Sequence, residues 1–470
     1  MSRGFFVGNR KTGGLVLTLV LVLALSALRT GAAPPQASSY YRPAGSAPIE
    51  EVVGGYRALF TCSAYFFAGR TLPQILDVEL RDTQRFDLPE PEIDERRQLV
   101  RAQGVDGKVA IAAYRHSTGC TVLPPDWSEP DVGHLPYIAM APIPQLGDTA
   151  FPVGDKANPA PTKAQQRLLA KSFDGRSFGA GTITGSVLVV KDGKLIGERY
   201  GNGFGLHKGY RTFSTAKSMT VSLIGIAVRD GLLEVDAPAP IPQWQLGSDP
   251  RAEISLGNLL NMSSGLTSEG SQTNATYYGG AAIVPAVTGT FLEAVPGERW
   301  KYANNDTLLT LWALRTVLAD DLRYLRYPYD ELFHKIGMHH TRMEMDHEGN
   351  FMGSSQVYTT GRDLARFGLL YLNKGKWRGE QILPVGWTDY VVVPAQGRPR
   401  KEGEWGYGAQ FWLLDTMPGI PKGTYTSSGN KGQFSTVVPE RNMVIVRTGV
   451  DPLGKRWDHA AFVAEVLKVF

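Results

Sequence analysis

The chain has 470 residues, 43% of them hydrophobic, with 49 lysines and arginines against 45 aspartates and glutamates. That length allows one large domain or two to three smaller ones. Residues 1–33 hold Arg3, Arg10, Lys11 and Arg29 and no acid, so the rest balances at 45 bases against 45 acids, which excludes a basic stripe for nucleic acid.

In chain order, residues 1–33 have the layout of a signal peptide. Basic residues precede an apolar run from Leu15 to Leu25, and Gly31-Ala32-Ala33 follow. The run is short for a membrane span. An exported protein is expected, periplasmic or secreted, without a span once the leader is cut; an uncleaved anchor is the alternative. Residues 34–50, rich in Pro, Ala and Ser, read as a linker. Residues 51–165 read as an N-terminal extension of unknown role. In it Ala58–Phe67 forms a short buried element, Leu72–Leu80 a helix, and Val109–Arg115 a strand running on towards Cys120. Residues 124–163 are rich in Pro, Gly and Asp and wrap the surface. Cys62 and Cys120 are the two cysteines, and an exported chain is expected to bridge them; two free buried thiols are the alternative.

Residues 166–470 carry a second pattern. Gly185–Tyr200 is a β-hairpin turned at Asp192-Gly193. Met219–Val228 is an apolar helix that stops at Gly231. A short helix lies within 254–266, another spans Thr307–Leu318, and an amphipathic one spans Thr360–Tyr371. Strands are predicted over Gly406–Leu414, Gln433–Pro439 and Met443–Thr448, then a helix over Trp457–Phe470. This order suits an α+β fold, an antiparallel sheet flanked by helices with a mostly helical subdomain.

Three motifs carry chemistry. In Ser214-Thr-Ala-Lys217 the hydroxyl and amine sit one turn apart at a helix start, where both share one face. A neighbouring amine at the positive helix end can activate a serine without histidine. The same spacing at Ser428–Lys431 contains Gly-Asn and cannot place its pair on one helix face. Tyr302-Ala-Asn304 follows Pro-Gly in a turn, where an acidified phenol could shuttle a proton and Asn304 could hold a carbonyl. A second copy, Tyr371-Leu-Asn373, reads as a helix end. The third motif, Thr426–Gln433, has small residues beside a strand and leaves a backbone N–H for an oxyanion. Tyr277, Tyr278, Trp412 and Gln433 are candidate cleft-wall residues. His334, His339, His340 and His347 fit no zinc signature and read as a polar surface turn. No metal or cofactor is expected.

With these motifs in this order, the chain resembles the β-lactamase-related serine hydrolases, the penicillin-recognising enzymes with Ser-x-x-Lys and Tyr-x-Asn. The likeness spans roughly residues 170–470 and includes the phrases Asn261–Leu266, Pro296–Trp300 and Gly361–Gly368. Within the family it is similar to the esterase and 6-aminohexanoate-dimer hydrolase branch, and more distantly to class C β-lactamases. The resemblance implies a β-lactamase/transpeptidase-like fold and an acyl-enzyme on Ser214. Lys217 would take the serine proton or lower the pKa of its partner, Tyr302 would relay the proton to the leaving group, Asn304 would orient the acyl side, and the N–H groups of Ser214 and Asn430 would form the oxyanion hole. Aligning Gly429 with the family's Lys-Thr-Gly glycine puts Ser427 where the lysine stands, so its charge is missing or comes from Lys431. An ester or linear amide, small or peptide-like, is therefore the expected substrate. The alternatives are a β-lactamase or D-Ala-D-Ala carboxypeptidase, or a non-catalytic binder of peptidoglycan peptides. The sequence leaves the oligomeric state open.

Overall fold

A computed structural model describes residues 47–268 and 273–470. The leader expected at 1–33, and the linker up to residue 46, lie outside the described residues. The linker's last residues, Ile49 and Glu50, already belong to helix α1 (Ile49–Cys62).

Helix α1 buries Val53, Ala58, Leu59 and Phe60 against a four-stranded antiparallel sheet, β1 (Glu92–Asp94), β2 (Leu99–Gln103), β3 (Val109–Arg115) and β4 (Gly119–Val122), in that order. Ala58–Phe67, expected as a short element, is instead the end of α1, Ala58–Cys62, and a π-helical turn, Ser63–Phe67. Cys62 and Cys120 form a disulfide and tie α1 to β4. This extension packs on the rest through buried contacts. A Cβ at Gly55 would stand 1.6 Å from the Tyr278 carbonyl oxygen, so only glycine lets α1 approach there. The Glu344 carboxylate, fully buried, accepts hydrogen bonds from Ser63 Oγ at 2.5 Å and the Cys120 amide at 3.3 Å, and pairs with Arg211 at 3.1 Å. All described residues fall in one compact unit.

The main sheet is built from seven antiparallel strands. They are β5 (Thr184–Lys191), β6 (Lys194–Tyr200), β7 (Gly406–Tyr407), β8 (Trp412–Leu413), β9 (Tyr425–Gly429), β10 (Gln433–Val438) and β11 (Met443–Gly449), in spatial order β7-β8-β9-β10-β11-β5-β6. Asp192 (φ 51°) and Gly193 (φ 72°) turn the β5–β6 hairpin, as a two-residue turn with both φ positive requires. Side chains alternate between two cores. Leu188, Val190, Val444 and Val446 face helices α2 (Thr215–Arg229) and α4 (Gly361–Leu372), whereas Val187, Val189 and Ile445 face α5 (His459–Val469). Helix α3 (Asn304–Leu318) belongs to the helical side and begins three residues earlier than its apolar pattern predicts.

The strand expected over Gly406–Leu414 is broken into β7 and β8. Gly408 runs so close to Val391 that a Cβ would lie 2.1 Å from its carbonyl oxygen, and Gln410 takes φ 60°. The break serves Gln410, whose buried amide accepts from Thr307 Oγ1 at 2.8 Å and donates to the Leu260 carbonyl at 2.8 Å. Among the described residues no helix is long and apolar enough to cross a membrane.

Candidate active site

Ser214 ends a tight turn. Phe213, just before it, holds φ 47°, a left-handed conformation that costs energy in a bulky residue and persists only where packing over-determines it. Here the Phe213 ring packs against Phe60 of the extension. Ser214 is the N-cap of α2, so its hydroxyl lies at the positive end of a buried helix.

One turn on, Lys217 is buried, with 1% of its surface exposed. Its Nζ lies 3.3 Å from Ser214 Oγ and donates to Asn304 Oδ1 at 2.7 Å and to the Ser354 carbonyl at 2.8 Å. Among the described residues no carboxylate partners this amine, and burial lowers its pKa to about 7. Tyr302 faces the same point. Lys217 Nζ is 4.9 Å from its ring centroid, and Ser214 hydrogen-bonds its phenol. Burial pushes the phenol well above its ordinary value, and the Ser214 bond pulls back only part of this. The acidified phenol expected from the sequence is thus corrected: Tyr302 keeps its proton at neutral pH, because burial outweighs the Ser214 hydrogen bond. The ring stacks on Trp412 and meets Tyr407 edge-on, which fixes its direction.

Asn304 is the first residue of α3. Its Oδ1 serves Lys217, and its Nδ2 donates to Thr273 Oγ1 at 3.2 Å. Asn304 therefore holds the lysine first. Gly429 brings β9 against the Ser214 turn, where a Cβ would meet the Thr212 carbonyl oxygen at 2.0 Å. In that turn Thr215, Ala216 and Lys217 donate to the carbonyls of Thr212, Phe213 and Ser214. Neither the Ser214 nor the Asn430 amide is spent on a turn or cap hydrogen bond among the described residues.

Two expected site residues are placed elsewhere. Ser427 is fully buried beneath the sheet, 3.4 Å from the Ser435 carbonyl, and lines neither cleft beside Ser214; the strand alternation turns Ser428 towards the cleft instead. Gln433 walls neither cleft beside Ser214. It is buried, and its amide braces the Asn430–Gly432 turn by donating to the Lys431 carbonyl and accepting from the Gly449 amide, each at 3.3 Å.

Ser214 opens onto two adjoining clefts. One, about 530 Å³, is walled by Tyr302, Trp412, Ser428 and Gly429. The other, about 600 Å³, is walled by Tyr277, Tyr278 and Asn304 and by Tyr56, Asp82 and Phe86 of the extension. The extension thus completes the site, which sequence reasoning missed because it carries no motif. Asp82 also captures Lys431 in an ion pair and accepts from the Leu453 amide at 3.1 Å. Burial alone would raise the Asp82 carboxyl, but Lys431 and that amide outweigh it and hold the group below the ordinary range. Ser354, the third partner of Lys217, was equally invisible, since its carbonyl acts rather than its side chain.

A family model, Beta-lactamase, matches residues 169–463. The chain belongs to the β-lactamase family. The 6-aminohexanoate-dimer hydrolase of Paenarthrobacter ureafaciens is 23% identical over 308 residues, which cover 59% of this chain and 75% of that protein. Among solved structures, a candidate 6-aminohexanoate-dimer hydrolase from Bacillus anthracis is 22% identical with a TM-score of 0.55, covering 67% of this chain and 87% of that one. A candidate β-lactamase from Bacteroides dorei is 16% identical with a TM-score of 0.54, covering 66% and 99%. These likenesses cover the β-lactamase/transpeptidase-like fold, and the protein is a β-lactamase-family serine hydrolase.

Proposed function

We propose that this β-lactamase-family enzyme cleaves an ester or a linear amide through an acyl-enzyme on Ser214. One observation carries the proposal: the Lys217 amine is buried, with no carboxylate partner among the described residues, and two neighbours other than Ser214 take up its N–H groups. In the neutral amine those two bonds, to Asn304 Oδ1 and the Ser354 carbonyl, use both hydrogens. The lone pair is left for the Ser214 hydroxyl at 3.3 Å. Lys217 takes the serine proton as Oγ attacks the acyl carbon. The oxyanion forms against the Ser214 and Asn430 amides, each such donor being worth about 3 kcal/mol of barrier. Tyr302, a protonated phenol in contact with Ser214, hands its proton to the leaving oxygen or nitrogen and recovers one from Lys217, which carries the proton taken from Ser214. Water then reverses the sequence and frees the acid.

A β-lactam is the poorer substrate in this reading. Ser427 supplies no charge, and Lys431 is held by Asp82. The name of the Paenarthrobacter relative speaks for a linear amide. Export is part of the proposal: the leader pattern motivates it, and a structural disulfide suits an oxidising compartment.

The test is Ser214→Ala, assayed on chromogenic short-chain esters and linear amides, with intact-mass analysis of the wild type after substrate. Loss of turnover and an acyl adduct on the Ser214 peptide are expected. Unchanged turnover, or no adduct with any ester or amide, overturns the proposal.

A further inference from the structure

We propose that Asp155, His207 and His340 bind a divalent transition metal, Zn²⁺ foremost, as a clasp remote from the nucleophile. Their ligand atoms, one from each residue, all lie within 4.8 Å of one another. His207 Nε2 is 3.3 Å from Asp155 Oδ2, and the His207 and His340 rings are 4.4 Å apart. Two imidazoles and a carboxylate suit a borderline cation such as Zn²⁺ better than Mg²⁺ or Ca²⁺, with water completing the shell.

The surrounding charge decides whether a cation is welcome. Arg366 donates to Asp155 Oδ1 at 2.8 Å, and Arg362 lies 3.8 Å from the same oxygen. Each guanidinium has a carboxylate of its own, however: Asp363 for Arg366 at 2.8 Å and Glu198 for Arg362 at 2.7 Å. Two guanidinium charges against three carboxylates leave one negative charge for an incoming cation. The ligands are also held in place. Arg366 orients the Asp155 carboxylate from behind, the supporting contact that metal ligands commonly need. The His340 amide donates to Asp363 Oδ2 at 2.9 Å. None of the three residues lines a cleft beside Ser214, so the metal would pin the Asp155 segment to the main domain and take no part in hydrolysis.

The experiment uses the full, untagged protein, stripped with chelator and titrated with Zn²⁺ by calorimetry at about pH 7.5, where imidazole is mostly neutral. Co²⁺ absorption in the visible reports the ligand set. One equivalent is expected to bind, with affinity at least about tenfold weaker in His207→Ala and in His340→Ala. His134→Ala, on an exposed residue outside the cluster, is expected to bind as the wild type does. His207 is half exposed, so its loss leaves the fold intact. No uptake by the wild type, which would leave only a His207–Asp155 ion pair, overturns the proposal. So does equal binding by both histidine variants.

Discussion

Gly429 passes Thr212 so closely that a Cβ at 429 would stand 2.0 Å from the Thr212 carbonyl oxygen. Strand β9 and the turn that presents Ser214 are thereby locked at a distance only glycine permits. Gly429→Ala should push them apart by roughly 1 Å, a displacement that can cost about 10²-fold in rate. A large fall in kcat with an unchanged circular dichroism spectrum is expected. Near-normal kcat would mean that β9 does not set the geometry of Ser214.

Lys217 sets the pH dependence. Its pKa of about 7 in the folded protein lies below that of an exposed lysine, and in the proposed mechanism the neutral form is the base. The rate should rise with pH to a plateau above about 7, falling tenfold per unit on the acid side. Lys217→Arg, permanently charged, should lose this activity. Stability follows the same group. Between about pH 7 and 10 the unfolded chain binds the extra proton, so folding stability rises with pH across that window. Denaturant titrations of the wild type and Lys217→Met should show this slope in the former only.

Asp306 behaves in the opposite sense. It is buried beside Ser264, whose hydroxyl donates to it at 2.9 Å, and burial raises its pKa to about 7. Because the folded value lies above the unfolded one, its contribution is complete below about pH 4 and is lost as pH rises towards 7. Asp306→Asn keeps the shape without the charge. The variant should gain stability relative to wild type between pH 5 and pH 9, measured by urea unfolding; a constant difference would refute the assignment.

Asp82 holds Lys431 beside the oxyanion turn. Asp82→Ala should free that ammonium towards the cleft, slow ester hydrolysis several-fold, and tighten binding of carboxylate-bearing penicillins. Acylation kinetics with a fluorescent penicillin and a neutral ester would measure both. A parallel loss for both ligands would assign Asp82 to folding alone.

The Cys62–Cys120 bridge closes a span of 58 residues. A loop of that size is worth about 4 kcal/mol in the chain-entropy picture. The double alanine variant should lose stability of that order by denaturant melting. Its KM should also rise, since Tyr56, Asp82 and Phe86 wall the cleft.

Much of this is legible in the amino-acid sequence. Ser214 and Lys217 share a helix face because one turn separates them, and Asp192-Gly193 announces a hairpin because it tolerates positive φ. Such relations are local, and local spacing is written in the chain. Gly406–Leu414 misled because its break answers to Gln410, whose partners Thr307 and Leu260 lie far off in sequence. Ser427 misled because strand parity, not residue type, decides which of Ser427 and Ser428 meets the cleft.

What the amino-acid sequence determined alone was therefore the proposed reacting set: a hydroxyl, an amine one turn away, a phenol, and a glycine on a strand. The tertiary structure decided their states. Burial brings Lys217 down to about 7 and keeps Tyr302 protonated, and the desolvation responsible depends on every wall around the group. The same packing turned an extension without motifs into half of a cleft and brought Asp155, His207 and His340 together from three separate segments. Spacing along a chain fixes neighbours within a helix or hairpin, whereas proximity between distant segments exists only once the cores have closed.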